Sequence, residues 1–223
     1  MQRIRLASLI FTSLIAASLI AAAAASASAP EFSPGTLNIS VGEGSTSALE
    51  TSSTAAVTCT KVSSTGEITG VKTVGGVVVT LIGCSSKEGT GCSVKSAGQA
   101  AGTVVTTTLS GELGSVKKTE AASGVGMLVS PASGTKLVEL EAPCILVSPA
   151  SVVGTMAGEV TPVNDPASTD GKLVFEGSKG AAKIKSINVL GTVEDPELKA
   201  LGLIKASEAG AGLELLTNPV TVT

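Results

Sequence analysis

The run Val77-Val78-Val79-Thr80-Leu81-Ile82 is the most apolar stretch of the chain outside its N-terminus. Six residues is strand length, and side chains branched at Cβ pack well on a pleated surface. A continuous run of this kind predicts a strand covered on both faces. Reading outward, residues 67–74 form a second strand, closed by Gly75-Gly76, and residues 54–62 and 36–41 form two more upstream. Downstream, strands are predicted at 102–113, 124–129, 136–141 and 144–147, with Gly111-Glu-Leu-Gly114 read as a turn into 115–118. Further strands follow at 151–154, 159–163, 171–176, 182–188, 202–206, 213–217 and 220–222. Many short strands separated by turn residues argue an all-β fold: an antiparallel sandwich or barrel. One short helix is expected at 195–201. Asp195 would cap it, Pro196 would take its first position and Gly202 would end it.

The N-terminus reads differently. Arg3 and Arg5 precede an uncharged, apolar or small stretch from Leu6 to Ala25, and Ala25-Ser26-Ala27 offers an A-x-A cleavage site. That order is a secretory signal peptide over residues 1–27. It leaves 28–223 as one secreted β-rich domain, with a two-lobed form open. Cleavage after Ala29 would set Pro30 beside the scissile bond, which disfavours it. Retention as an anchor is the bland alternative, since the stretch is long enough to span a bilayer. No later segment reaches that length, so the mature chain has no expected span. The address is secreted or cell-surface.

Both arginines lie in the leader, and the chain has no His, Trp or Tyr. The net charge is −3. Nucleic-acid binding relies on a basic surface, arginine forks and aromatic platforms, so that class is rejected. Without His, the commonest general base and the commonest metal ligand are gone. The core must be built from Val, Leu, Ile and Ala, with Phe32 and Phe175 as the only aromatics beyond the leader.

Cys59, Cys84, Cys92 and Cys144 make an even count in an exported chain and read as two disulfides. Of the three possible pairings, Cys84–Cys92 with Cys59–Cys144 is preferred. The short segment between Cys84 and Cys92 is rich in turn residues and lets its ends meet. A zinc knuckle and a redox C-x-x-C are both missing.

Few other constellations suggest chemistry. Ser115-Val-Lys-Lys118 and Ser133-Gly-Thr-Lys136 match S-x-x-K, but neither sits on a helix and no partner motif accompanies them. Glu139 and Glu141 would share a strand face, which reads as solvated rather than as a glycosidase pair. Asn164, Asp165 and Asp170 are the weak candidates for a calcium loop, against the plainer reading of a turn. Glu194, Asp195 and Glu197 are taken as complements to the expected helix N-terminus. No cofactor is implied.

Several features in order resemble a group of uncharacterised secreted β-rich proteins from soil actinobacteria. They are the leader, Ala55-Ala-Val-Thr-Cys59, Gly66-Glu-Ile-Thr-Gly70, Leu81-Ile-Gly-Cys84, Cys92-Ser93, Thr108-Leu-Ser-Gly-Glu-Leu-Gly114, Cys144, Ser151-Val-Val-Gly154 and Val160-Thr-Pro-Val-Asn164. The resemblance covers residues 54–177 and rests on cysteines, glycines and strand edges. It implies a secreted β fold and carries no activity or site residues with it. The expected function is a non-enzymatic exported protein with a structural or binding role at or near the cell surface. Its partner is unnamed, with a cell-envelope component or a protein as the candidates. The alternatives are a secreted hydrolase using Asp/Glu or Ser/Lys, and a calcium-dependent adhesive module.

Overall fold

The structure, a computed structural model, describes residues 30–32, 38–40, 46–52, 56–86, 92–117, 123–143, 148–164, 170–209, 212–216 and 220–221. The predicted signal peptide and the predicted strand at 144–147 lie outside them. All regular elements among the described residues are strands. The first are β1 (Glu31–Phe32), β2 (Asn38–Ser40), β3 (Ser47–Thr51), β4 (Ala56–Cys59), β5 (Lys61–Ile68), β6 (Thr73–Ile82) and β7 (Ser85–Ser86). There follow β8 (Thr103–Val105), β9 (Leu109–Lys117), β10 (Ser123–Pro131), β11 (Lys136–Leu140), β12 (Ala150–Gly154), β13 (Met156–Thr161) and β14 (Asp170–Val174). The last are β15 (Gly177–Ser178), β16 (Ala181–Ala182), β17 (Ile187–Val189), β18 (Thr192–Glu194), β19 (Leu198–Ala200), β20 (Ile204–Ala209), β21 (Gly212–Leu216) and β22 (Val220–Thr221).

An eleven-stranded sheet follows the path β2-β5-β6-β9-β10-β13-β14-β21, with β8, β17 and β18 attached beside it. A seven-stranded sheet runs β11-β12-β19-β20-β3-β4-β7. Strand pairing is antiparallel throughout, and the sheets curl into half-barrels, as the sequence pattern predicts. The larger sheet curls far enough that β2 comes alongside β21.

The two sheets are not independent layers. β4 and β5 are separated by Thr60 alone, yet belong to different sheets, and β12 and β13 are likewise split only by Thr155. β6 hands over to β7 across Gly83 and Cys84. Such bends are the corners by which strands switch sheets. Two of them use backbone that side chains with a Cβ rarely adopt: Gly83 has φ 69° and Gly154 φ 112°.

Inward-facing residues fill the interior. The main cluster includes Val62, Leu109, Leu113, Met127, Leu173 and Phe175. A smaller cluster of Val116, Ala157, Ile187 and Val189 lies where β17 pairs with the end of β9.

Four expectations change. Residues 195–201 are not helical. Leu198–Ala200 is a strand hydrogen-bonded on both sides, to β12 and to β20, and Leu201 and Gly202 turn at φ 54° and 70°. Two sheet ladders outweigh one or two isolated helical turns, whose nucleation is unfavourable. The predicted strand 67–74 straddles a hairpin. Its turn lies at 69–72, with Thr69 N–H donating to the Thr73 carbonyl, and Gly75-Gly76 lie inside β6. Gly111 and Gly114 do not turn but lie within β9. A Cβ at Gly111 would sit 2.7 Å from Met127 Sδ, and one at Gly114 would sit 2.5 Å from the Asn188 carbonyl oxygen. These glycines serve close approach. Finally, the run 77–82 alternates: Val77 and Val79 are buried, Val78 is partly covered and Ile82 is exposed.

Candidate functional site

Cys59 is bonded to Cys84, with Cα atoms 4.0 Å apart. This corrects the expected pairing of Cys84 with Cys92 and of Cys59 with Cys144. The register that sets Lys61 against Ile82 and Thr58 against Ser85 places Cys59 opposite Cys84, at the corner where this hairpin passes between sheets. Cys92 is also disulfide-bonded, and Cys144 lies outside the described residues. A disulfide is consistent with an extracellular protein. Among the described residues no helix is long and apolar enough to cross a membrane.

The other candidates are dispersed. Ser115 lies in β9, and Lys118 lies outside the described residues. Ser133 is exposed in the loop before β11, and Lys136 forms an ion pair with Glu139. Glu141 pairs instead with Lys95 at 3.5 Å. Asn164 is exposed, with φ 59°, Asp170 opens β14, and Asp165 lies outside the described residues. No group of three or more His, Cys, Asp or Glu placed to hold a metal occurs among the described residues. Glu194 ends β18, and Glu197 bonds Lys199 at 2.8 Å, which holds its carboxyl below the usual range.

The feature that gathers residues is a space between the sheets. A cavity of about 70 Å³ is lined from the seven-stranded sheet by Leu49, Val57, Leu137 and Val152. Val62, Val79, Leu81 and Val104 close it from the larger sheet. Its polar members are Ser47, Thr106 and Glu208. Thr106 Oγ1 is engaged, accepting from the Val79 N–H at 3.0 Å. A second, more polar cleft of about 220 Å³ adjoins it and shares the walls Met156, Phe175, Leu198 and Glu208.

Glu208 therefore borders both spaces. It is carried on β20, where alternation puts it on the face of buried Ala206, and β20 pairs with β3, setting Glu208 against Leu49. The Ser47 hydroxyl donates to its Oε1 at 3.1 Å. Part of the residue reaches the cleft, but the carboxyl is enclosed. Burial pushes it up to about 7, and the Ser47 bond only partly counters this. Sequence reasoning missed it because the predicted strand stopped at 206. Extending the period-two pattern of Ile204 and Ala206 by one step puts Glu208 on their face, but its enclosure comes from the pairing of β20 with β3.

The cleft carries charges at its rim. Glu176 and Lys183 are paired, which raises the Lys183 ammonium, and Glu197 lies near Lys205 as well as Lys199. The arrangement can take an apolar body between the sheets and present one carboxyl to it. In the described lining of the cavity Glu208 is the one carboxyl, and the hydroxyls beside it are those of Ser47 and Thr106.

No family model matches the chain, and no curated protein or solved structure matches it.

Proposed function

We propose that the chain is an exported, non-enzymatic binding protein that works at or near the cell surface and takes a small apolar molecule between its two sheets. The carrying observation is the aliphatic cavity bordered by a polar cleft, with Glu208 in the wall of both. Binding sites are typically concave and apolar with few well-placed polar groups. The leader at 1–27 and the Cys59–Cys84 bond support the exported setting.

The test is calorimetric titration of the purified protein with 1-hexanol, beside two cavity-filling variants, Val152→Phe and Leu49→Phe. Saturable binding by the wild type that is lost in a cooperatively melting variant supports the reading. No saturable binding, or equal binding by a folded, filled variant, overturns it. Turnover of a peptide, ester or glycan substrate that is lost in Lys136→Ala would overturn the non-enzymatic part.

A further inference from the structure

We propose that this site selects a small apolar molecule bearing a protonated amine, whose ammonium pairs with Glu208 while its hydrocarbon body lies against Leu49, Val152 and Leu198. The inference rests on the binding role above and names its ligand class.

Glu208 is the one ionisable group in the described wall of the inter-sheet cavity. It accepts a hydrogen bond from a neutral hydroxyl, that of Ser47, and none of the ion pairs among the described residues includes it. Burying a carboxylate without a cation is costly, and a carboxylate's remaining lone pairs accept strongly from N–H donors. The structure thus holds an acceptor whose complement is a cation, set among groups whose complement is hydrocarbon. Burial lifts the carboxyl to about 7 because desolvation disfavours its charged form.

The other charged residues lining the cleft are Glu176, Lys185, Glu197 and Lys205. No ion pair or hydrogen bond among the described residues joins any of them to Glu208. On the paired strand β3, Glu50 is turned elsewhere, its Oε2 accepting from the Lys179 N–H at 3.0 Å. The cleft lysines could attract an anion at the rim. A carboxylate ligand seated deeper would bring a second negative charge against Glu208 in a low-dielectric space, which disfavours it.

The experiment compares hexylamine, 1-hexanol and hexanoate at pH 8, where Glu208 is ionised and hexylamine still carries its proton. Wild type should bind hexylamine tenfold or more tighter than hexanol, on the order expected for a charge-assisted bond. Glu208→Gln should lose that preference and keep hexanol binding. Equal affinities for amine and alcohol, a preference that survives in Glu208→Gln, or tighter binding of hexanoate would each overturn the amine assignment and leave the apolar site standing. Absence of binding by all three overturns both. Should Glu208→Gln fail to fold, the wild type decides. Hexylamine affinity must rise between pH 5 and 8 while hexanol affinity holds level, and a flat hexylamine profile overturns the proposal.

Discussion

The Ser47 hydroxyl donates to Oε1 of Glu208 across 3.1 Å, joining β3 to β20 over 161 residues of sequence. That one neutral bond is a weak recompense for an enclosed carboxyl, so Glu208 makes stability depend on pH. Its folded pKa, about 7, lies above the ordinary 4.5. The folded state therefore holds the proton more tightly than the unfolded chain. The contribution of Glu208 is most favourable below about pH 4.5, declines as pH rises towards 7, and levels off above. Glu208→Gln removes this slope. Urea melts should show the variant more stable than wild type by roughly 3 kcal/mol at pH 8, with the gap closing near pH 4.5. Parallel pH profiles for the two proteins would show that the carboxyl titrates normally.

The Cys59–Cys84 bond spans a sequence separation of 25. In the chain-entropy description, closing such a loop contributes about 3.5 kcal/mol. Replacing both residues with alanine should cost at least that, because both cysteines are also buried in the core. Denaturant melts measure the loss. Peptide mapping without reductant should recover one linked pair containing Cys59 and Cys84. By count of cysteines, the second pair should join Cys92 to Cys144. A Cys84–Cys92 link would contradict the hairpin register itself.

At the corner between β12 and β13, Gly154 combines φ 112° with a close backbone approach: a Cβ there would lie 2.0 Å from the Glu197 carbonyl oxygen. Gly154→Ala therefore carries both conformational strain and a clash with main chain, and should cost about 3 kcal/mol or more. Gly134 is the matched control, with φ 69° and open space around it. Gly134→Ala should cost about 1–2 kcal/mol, from left-handed strain alone. Equal losses in thermal melts would mean that the corner opens to admit a methyl group.

These positions also show what a single sequence discloses. The strand class was readable because short β-branched runs between turn residues are a local signal, whereas the alternation that turns Val79 inward and Ile82 outward was hidden by the continuous apolar run 77–82. Cysteine pairing needed more. Placing the hairpin turn at 69–72 rather than ending a strand at Gly75-Gly76 would have brought Cys59 opposite Gly83, one residue from Cys84, and the register shift between Thr65 and Glu67 supplies the last step. The double glycine misled because it marks an irregularity within β6, where the register against β9 shifts between Val74 and Val77. The segment 195–201 carries real helix-start chemistry, which was overruled by two ladders formed with residues near 152 and 205. Glu208 was the least legible. Its burial depends on β3, a distant strand, and no local signal separates it from an exposed glutamate.

Ser64 gives the opposite case to Glu208. It sits on the inward face of β5 between Val62 and Gly66, directly across from Val79, and is 4% exposed. Its hydroxyl has no hydrogen-bond partner among the described residues. A buried, unpaired hydroxyl carries a desolvation cost of about 1–3 kcal/mol with no bond to offset it. Ser64→Ala removes that group and leaves only a small deficit in volume. The variant should be as stable as wild type or more so, by up to about 1 kcal/mol, whereas truncating fully buried Leu109 to alanine should cost about 2–5 kcal/mol. Urea melts of the two variants side by side decide the matter. A loss above about 1 kcal/mol for Ser64→Ala would mean that the hydroxyl is bonded in solution.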